Sequence, residues 1–450
     1  MINHNNFTEG SIFKKLIIFM LPILASLILQ AMYGAVDTFV IGMFGSNEGL
    51  SGVLTGSSII NLIIFTIAGF STALTIQIAK YLGEKKHHLI GKAIGSSITL
   101  FVIISLVLMI VLTIFAPELA VLMKAPEEAM EKTIEYVRIC GLGIIFIIFY
   151  NVISSIFRGL GNSKLPLIFV AISCFVNIVL DLVFVIGCNL DVIGAALATV
   201  IAQAVSVILS IIIISKQKLP FTFKKQDFWF NQELKYCIKI GFPIALQDFL
   251  TNISFTALVA FINNIGLDAS NGYAIANRVT SFIMLIPSAL MQSMSSFVAQ
   301  NVGAGKEKRA KQSMFVGMSI GAVIGVFVMT LTFFKGDLLS SIFTSDEVII
   351  NNSFAYLKGF ALEAVVTCIL FSFIGYYSGH GETLFVMIQG LAQTFIVRLP
   401  MSYIMSIMPN PSLLNIGLSA PAATIFGIII NIIYLIIYNQ KLRRKQIIID

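Results

Sequence analysis

The sequence predicts an all-α polytopic membrane protein, with twelve transmembrane helices in two six-helix lobes related by a parallel, pseudo-two-fold repeat. Three observations predict it. Hydrophobic residues make up 57% of the chain and charged residues 11%, with a mean hydropathy of +0.94, a balance outside the range of soluble domains. The apolar residues gather in runs that reach the ~20 residues needed to cross a bilayer. The second half of the chain also repeats features of the first.

Short polar breaks separate apolar runs at 12–44, 48–80, 88–116, 128–157, 164–187, 192–215, 236–264, 268–299, 310–334, 347–377, 383–408 and 413–439. The segment before Lys14 is polar and the run after it is too long for a cleaved signal, so the first span is expected to remain in the mature protein. Basic residues set the orientation. Alternate loops carry Lys85 and Lys86, then Arg158 and Lys164, then Lys216, Lys218, Lys224 and Lys225, then Lys306, Lys308, Arg309 and Lys311. The last of this series is Lys441, Arg443, Arg444 and Lys445, whereas the opposite loops hold Lys124, Lys132 and Lys335 among acids such as Glu118, Glu127 and Asp346. Both termini are therefore expected on the cytoplasmic face of the cell membrane. The net charge of +7 follows from this topology and does not point to nucleic acid.

Displacing the chain by about 220 residues lays one half on the other. Pro22 meets Pro243, Ala79-Lys-Tyr-Leu-Gly83 meets Ala299-Gln-Asn-Val-Gly303, and Tyr136 meets Tyr356. Gly159-Leu-Gly161 meets Gly379-His-Gly381 in the same way. An even number of spans in each half makes the repeat parallel, about an axis along the membrane normal. The expected divisions are an N-terminal lobe (1–215), a cytoplasmic linker (216–235), a C-terminal lobe (236–440) and a basic tail (441–450). The linker places Trp229 between Phe228 and Phe230 beside lysines, a pattern suited to anchoring at headgroups.

Five cysteines, Cys140, Cys174, Cys188, Cys237 and Cys368, show no metal-ligand spacing, and their odd number points away from a disulfide framework. His4, His87, His88 and His380 fall in predicted loops or the tail and read as solvated. No nucleotide loop, metal motif or catalytic triad is present, which argues against an enzyme or a cofactor.

The chemistry gathers on polar stripes. In the first span Ser26, Gln30, Tyr33 and Asp37 recur at i, i+4, i+7 and i+11, on one helix face. Pro22 removes a backbone donor in the same span and permits a kink. An acid at membrane depth costs ~3 kcal/mol on insertion scales and commonly marks an ion or substrate path. The fifth span repeats the pattern with Ser173, Asn177 and Asp181, and the sixth with Thr199, Gln203, Ser206 and Ser210. Asn151 and Ser154 lie one turn apart in the fourth. For the uncharged members, helix-to-helix hydrogen bonding is the simpler explanation; it accounts less well for the acids.

Two carboxylates in a partly desolvated site cannot both ionise cheaply, so they titrate as a pair. Such a site can hold a proton, or hold Na⁺ in a shell of oxygens. The expected ligands are Asp37 and Asp181, the Asn177 amide oxygen, the Thr199 hydroxyl and a backbone carbonyl near Ala195. Positions matching the two acids in the second half fall near Leu258 and Met401, so the site is asymmetric. The second half has its own acids, Asp248 and Glu363, with Arg278 and Arg398 expected to neutralise one or the other. Gln247, Thr251 and Asn252 cluster near Asp248, and Asn277, Ser281, Met284, Ser288 and Met291 form a stripe in the eighth span. That stripe suits packing and a permissive cavity equally.

At these residues the sequence resembles the multidrug and toxic compound extrusion (MATE) family of the MOP flippase superfamily. The resemblance spans nearly the whole chain. It rests on Pro22, Gln30, Tyr33 and Val36-Asp37-Thr38, on Asn177 with Asp181, on Gly194-Ala-Ala-Leu-Ala-Thr199, and on Ala299-Gln-Asn-Val-Gly-Ala-Gly305 before Arg309. The pattern is similar to the DinF-like branch, which implies that Asp37 and Asp181 bind H⁺ or Na⁺ with Asn177 and Thr199 in support. It further implies that Gln30, Tyr33 and Asn151 line an adjoining substrate cavity, with Ser154 and Gln203 on neighbouring stripes, and that Pro22 is the hinge of the first helix. The NorM-like branch uses an acid beyond the seventh-span proline; Thr251 stands near that position and Asp248 close by. The implied function is cation-coupled antiport of small amphiphilic or cationic drugs across the bilayer by a protein expected to be monomeric. A lipid-linked-precursor or polysaccharide flippase of the same superfamily shares the repeat, but would be expected to show an arginine-rich cavity. A channel or receptor fits the asymmetric acid site less well.

Overall fold

The computed structural model describes residues 6–216, 219 and 221–449, with side chains through Gln440, and all regular structure among these residues is helical. His4, Lys218 and the side chains of the basic tail lie outside the described residues. The first helices are α1 (Ile12–Phe44), α2 (Asn47–Gly83), α3 (His87–Ile114), α4 (Ala116–Leu122), α5 (Met130–Leu142) and α6 (Ile144–Gly159). They are followed by α7 (Lys164–Asp181), α8 (Asp191–Lys216), α9 (Gln232–Asn263), α10 (Leu267–Ile283), α11 (Leu285–Gly303) and α12 (Glu307–Ser341). The chain ends with α13 (Glu347–Phe360), α14 (Glu363–Gly379), α15 (Thr383–Ala392), α16 (Leu399–Ile407), α17 (Leu413–Gly417) and α18 (Ser419–Ile449).

Ten of these stretches are long and apolar enough to cross a bilayer, and there are twelve spans when two bent pairs each count as one. One pair joins Glu127–Leu142 to Ile144–Gly159 at 53°, and the other joins Glu347–Phe360 to Glu363–Gly379 at 46°. The bends occupy matching places in the two halves, so the repeat extends to a broken fourth and tenth span. Two other spans contain a π turn, Leu182–Gly187 after α7 and Gln393–Arg398 before α16. Such turns widen the helix and free backbone groups, often at functional sites. Serine and aspartate caps fix several helix starts: Ser46 Oγ accepts from Gly49 N at 2.9 Å, and Asp346 Oδ1 accepts from Val348 N at 2.9 Å.

Two compact units result. One comprises the chain to Ala245 together with Ala299–Glu307; the other comprises Leu246–Val298 and the chain from Lys308 onward. In the first unit a core including Ile41, Val53, Ile76, Phe101, Cys140 and Ala195 is sealed from solvent. The linker and the start of α9 belong to this unit, and the linker is bound there. Thr99 Oγ1 donates to the Phe228 carbonyl at 2.6 Å, and Gln77 Nε2 donates to Glu233 Oε2 at 3.0 Å. Tyr81 also donates its hydroxyl to Glu233 Oε2. Asp227, buried, accepts from Lys224 N at 2.8 Å, while Trp229 is exposed.

The matching motifs Ala79–Gly83 and Ala299–Gly303 meet within this first unit. A side-chain carbon at Gly83 would strike the Gln300 carbonyl, and one at Gly303 would strike the Lys80 carbonyl. The contact is reciprocal and backbone to backbone, which only glycine permits. Phe7 is buried beside it, with its N–H donating to Gln300 Oε1 at 2.6 Å and its ring 4.9 Å from Phe19.

The second unit has its own apolar cluster, including Leu258, Tyr273, Tyr356 and Ile416, with the Tyr273 and Tyr356 rings 5.0 Å apart. One sequence reading needs correction here. His380 is half-buried rather than fully solvated: its ring lies 4.4 Å from Tyr376 and 5.5 Å from Tyr438, and Nδ1 is 2.9 Å from the Tyr376 carbonyl. It follows directly on α14, where a ring nitrogen can serve a terminal carbonyl. His87 and His88 are exposed.

Candidate functional site

Asp37 lies on α1 and is 3% exposed, in a helix whose neighbouring positions are largely apolar. The Thr199 hydroxyl on α8 donates to Asp37 Oδ2 at 2.9 Å. Asp181, the last residue of α7, and Asn177, one turn earlier on the same face, stand beside Asp37 within side-chain reach. Both are fully buried. Asp37 Oδ1, both Asp181 oxygens and both amide atoms of Asn177 nevertheless make no directional hydrogen bond among the described residues. Ala195, one turn before Thr199, is also fully buried.

Buried polar atoms are nearly always paired, because leaving one unpaired costs about 1–3 kcal/mol and more for a charge. Two adjacent buried carboxyls are an arrangement that a shared proton or a small cation would neutralise. Among the described residues no group of three or more His, Cys, Asp or Glu gathers as a metal site. A cation here would instead meet a mixed set of carboxylate, amide, hydroxyl and carbonyl oxygens, the donor type that hard ions take. The π turn begins at Leu182, directly after Asp181.

The cavity candidates surround this group unevenly. Tyr33 donates its hydroxyl to the Thr199 carbonyl at 3.0 Å, so it holds α8 rather than pointing free. Gln30 is exposed, and its amide donates to the Tyr150 hydroxyl at 3.3 Å. Asn151 is half-buried and spends its amide on the Ile147 carbonyl of its own helix at 2.9 Å. Ser154 Oγ and Gln203 Oε1 are shielded from solvent and unpartnered. Ser26 bonds back to the Pro22 carbonyl at 2.8 Å, and α1 continues through Pro22 without a break in its helical assignment.

Sequence reasoning passed over Tyr150, which the structure joins to Gln30. The signal was present: Tyr150, Ser154 and Arg158 recur every four residues and share a face. Arg158 continues that face by donating to Ser155 Oγ at 3.0 Å.

In the second unit Glu363 is buried, with Oε1 accepting from Thr424 Oγ1 at 2.8 Å and Oε2 unpartnered. Asp248 is half-buried, and Asn252 donates to its backbone carbonyl at 2.8 Å. No direct ion pair joins Arg278 or Arg398 to either acid among the described residues, although Arg398 acts on Glu363 through space. Arg398 lies over the Phe255 ring at 3.8 Å, where the ring face is its direct partner. Arg278 is exposed.

The comparisons agree with this architecture. A family model described as MatE matches residues 22–183 and again 243–404, one match in each half and each beginning at a proline. The probable multidrug resistance protein YoeA of Bacillus subtilis is 24% identical over 458 residues, covering 98% of this chain and 96% of that protein. The multidrug export protein MepA of Staphylococcus haemolyticus is 27% identical over 398 residues, covering 85% of this chain and 86% of its own length. A crystal structure of MATE in the straight conformation superposes with a TM-score of 0.91 at 20% identity, covering 98% of this chain and 99% of that one.

Proposed function

Because the chain belongs to the MatE family of transporters, we propose that it is a multidrug exporter driven by H⁺ or Na⁺, with Asp37 and Asp181 as its cation site. One observation carries the reading: two buried carboxyls stand side by side on α1 and α7, one bonded to Thr199, with the remaining oxygens lacking a donor. The multidrug names of its relatives supply the substrate class.

In the proposed cycle a cation enters from outside and neutralises the pair, with Asn177 and Thr199 completing its oxygen shell. Neutralisation removes the electrostatic reason for α1 to stay where it is, and the helix bends at Pro22, whose missing N–H leaves one backbone bond unmade. The surface bearing Gln30, Tyr33, Asn151, Ser154 and Gln203 then changes shape and releases the drug. Rocking of the two repeats exposes the cation to the cytoplasm, which is the general scheme for repeat-built transporters. Net work requires cation and drug to prefer different states; a tenfold preference supplies about 1.4 kcal/mol of coupling.

Dye efflux from proteoliposomes under separately imposed pH and Na⁺ gradients tests this directly. The expected result is concentrative efflux with one or both gradients, lost in Asp37→Asn. Efflux that ignores both gradients overturns the coupling. Failure to move any dye, with movement of a lipid-linked saccharide instead, transfers the chain to the flippase class.

A further inference from the structure

Asp191 opens α8 with a φ of +47° and is bound on three sides. Its Oδ1 accepts from Ser46 N at 3.2 Å, and its Oδ2 accepts from Ser46 Oγ at 2.8 Å. Lys132 Nζ, on α5, lies 3.6 Å from Oδ2 and 3.5 Å from Glu135 Oε2. Ser46 links α1 to α2: Gly45 N closes α1 on the Ile41 carbonyl at 2.8 Å, and Ser46 Oγ caps α2 by accepting from Gly49 N. The seat is tight. A side-chain carbon at Gly45 would lie 2.8 Å from Asp191 Oδ1, and one at Gly49 would strike the same oxygen.

This clasp joins the ends of the two helices that carry Asp37 and Thr199. At 1.5 Å of rise per residue, Thr199 lies about 12 Å along α8 from Asp191, and Asp37 about 10 Å back along α1 from its end. A slip of one residue would move either side chain by 1.5 Å and turn it by about 100°, enough to break the 2.9 Å bond between them. The clasp therefore sets the register at which α1 and α8 meet. The repeat supplies no matching acid: after a small insertion Ile193-Gly194 falls on Ile416-Gly417, which puts Leu414 where Asp191 stands.

We propose that Asp191 is a positioning residue for the cation site, holding Asp37 and Thr199 in the arrangement that gives the pocket its cation affinity; this rests on the acid-pair reading above. Partners that orient ligands from behind commonly change affinity by about 10–100-fold when removed. The test measures dye efflux by purified full-length protein in proteoliposomes against a series of driving-cation concentrations. Asp191→Ala is expected to shift the half-activating concentration by on the order of tenfold, upward where Na⁺ drives efflux and downward where H⁺ does, with the saturated rate retained. Asp191→Asn keeps the Ser46 N–H contact through its amide oxygen, meets Ser46 Oγ by donating to it instead of accepting, and tolerates the positive φ, so it is expected to restore most of the wild-type affinity. Gly49→Ala, which crowds the carboxylate, is expected to reproduce the shift. Should Asp191→Ala not survive purification, Ser46→Ala removes the shorter contact and carries the same expectation. An unchanged half-activating concentration in these variants, with Asp37→Asn inactive, overturns the clasp and leaves the acid pair standing. Coupled efflux surviving in Asp37→Asn overturns the acid-pair reading itself, and the clasp with it.

Discussion

Thr199 and Asp37, 162 positions apart in sequence, are joined by a 2.9 Å hydrogen bond from hydroxyl to carboxylate. The same threonine accepts from Tyr33 through its carbonyl at 3.0 Å. One residue of α8 thus touches two residues of α1 that lie one turn apart. The proposed cation site and the proposed substrate stripe are mechanically continuous through it.

Thr199→Val keeps the shape and removes the donor, leaving Asp37 with less support for its charge. For Na⁺, which loses an oxygen ligand, we expect affinity to fall by about tenfold, about 1.4 kcal/mol. For H⁺ we expect affinity to rise, because the lost donor had favoured the charged carboxylate; Thr199→Ser stays near wild type. The half-activating cation concentration in proteoliposomes checks this; an equal shift in both variants would show that the methyl, not the hydroxyl, matters.

Asp37→Asn and Asp181→Asn should each abolish gradient-driven efflux while leaving an inserted, monodisperse protein. Replacing a buried carboxyl by an amide preserves volume and removes the charge that a cation answers. Drug-resistance assays with membrane-fraction immunoblots separate lost transport from lost protein. Normal resistance in either variant rejects the assignment.

Glu233→Ala should destabilise the first unit, because Gln77, fully buried, would lose its acceptor on that side chain and Tyr81 would lose its partner. The expected cost is about 1–3 kcal/mol, with Glu233→Gln recovering part of it. Thermal unfolding in detergent reads the difference, and an unchanged midpoint in the alanine variant would remove Glu233 from the set of structural anchors.

Gly303→Ala should destabilise by at least about 1–3 kcal/mol, since the new methyl would meet the Lys80 carbonyl rather than a movable side chain. Detergent stability and expression level both report on it. A fully stable alanine variant would mean that the two helix ends can part without consequence.

The membrane fold was legible because a lipid span must be apolar over its whole length, and Pro22, Gly83 and Tyr136 each had a recognisable counterpart. The Ser26–Asp37 and Ser173–Asp181 stripes were legible because helical spacing fixes which side chains share a face. What those faces meet was not. Nothing in the spacing says that Tyr33 is spent on the Thr199 carbonyl, or that Asn151 turns to its own helix. The charge of Arg398, which acts on Glu363, can be read from a sequence, whereas the ring 3.8 Å beneath it cannot. The bend at Gly143 escaped because a hydropathy run stays continuous across a change of direction. His380 was misread for a related reason: a loop position does not disclose the aromatic side chains that fold over it.

The reciprocal seat of Gly83 and Gly303 bears on the history of the chain as well as its stability. Each half presents the same motif, and each motif serves as the mould for the other's backbone. After a duplication, most positions of twin segments are free to diverge, as Asp37 and Leu258 did. These two could not drift separately, because an added carbon on either one collides with its twin's helix.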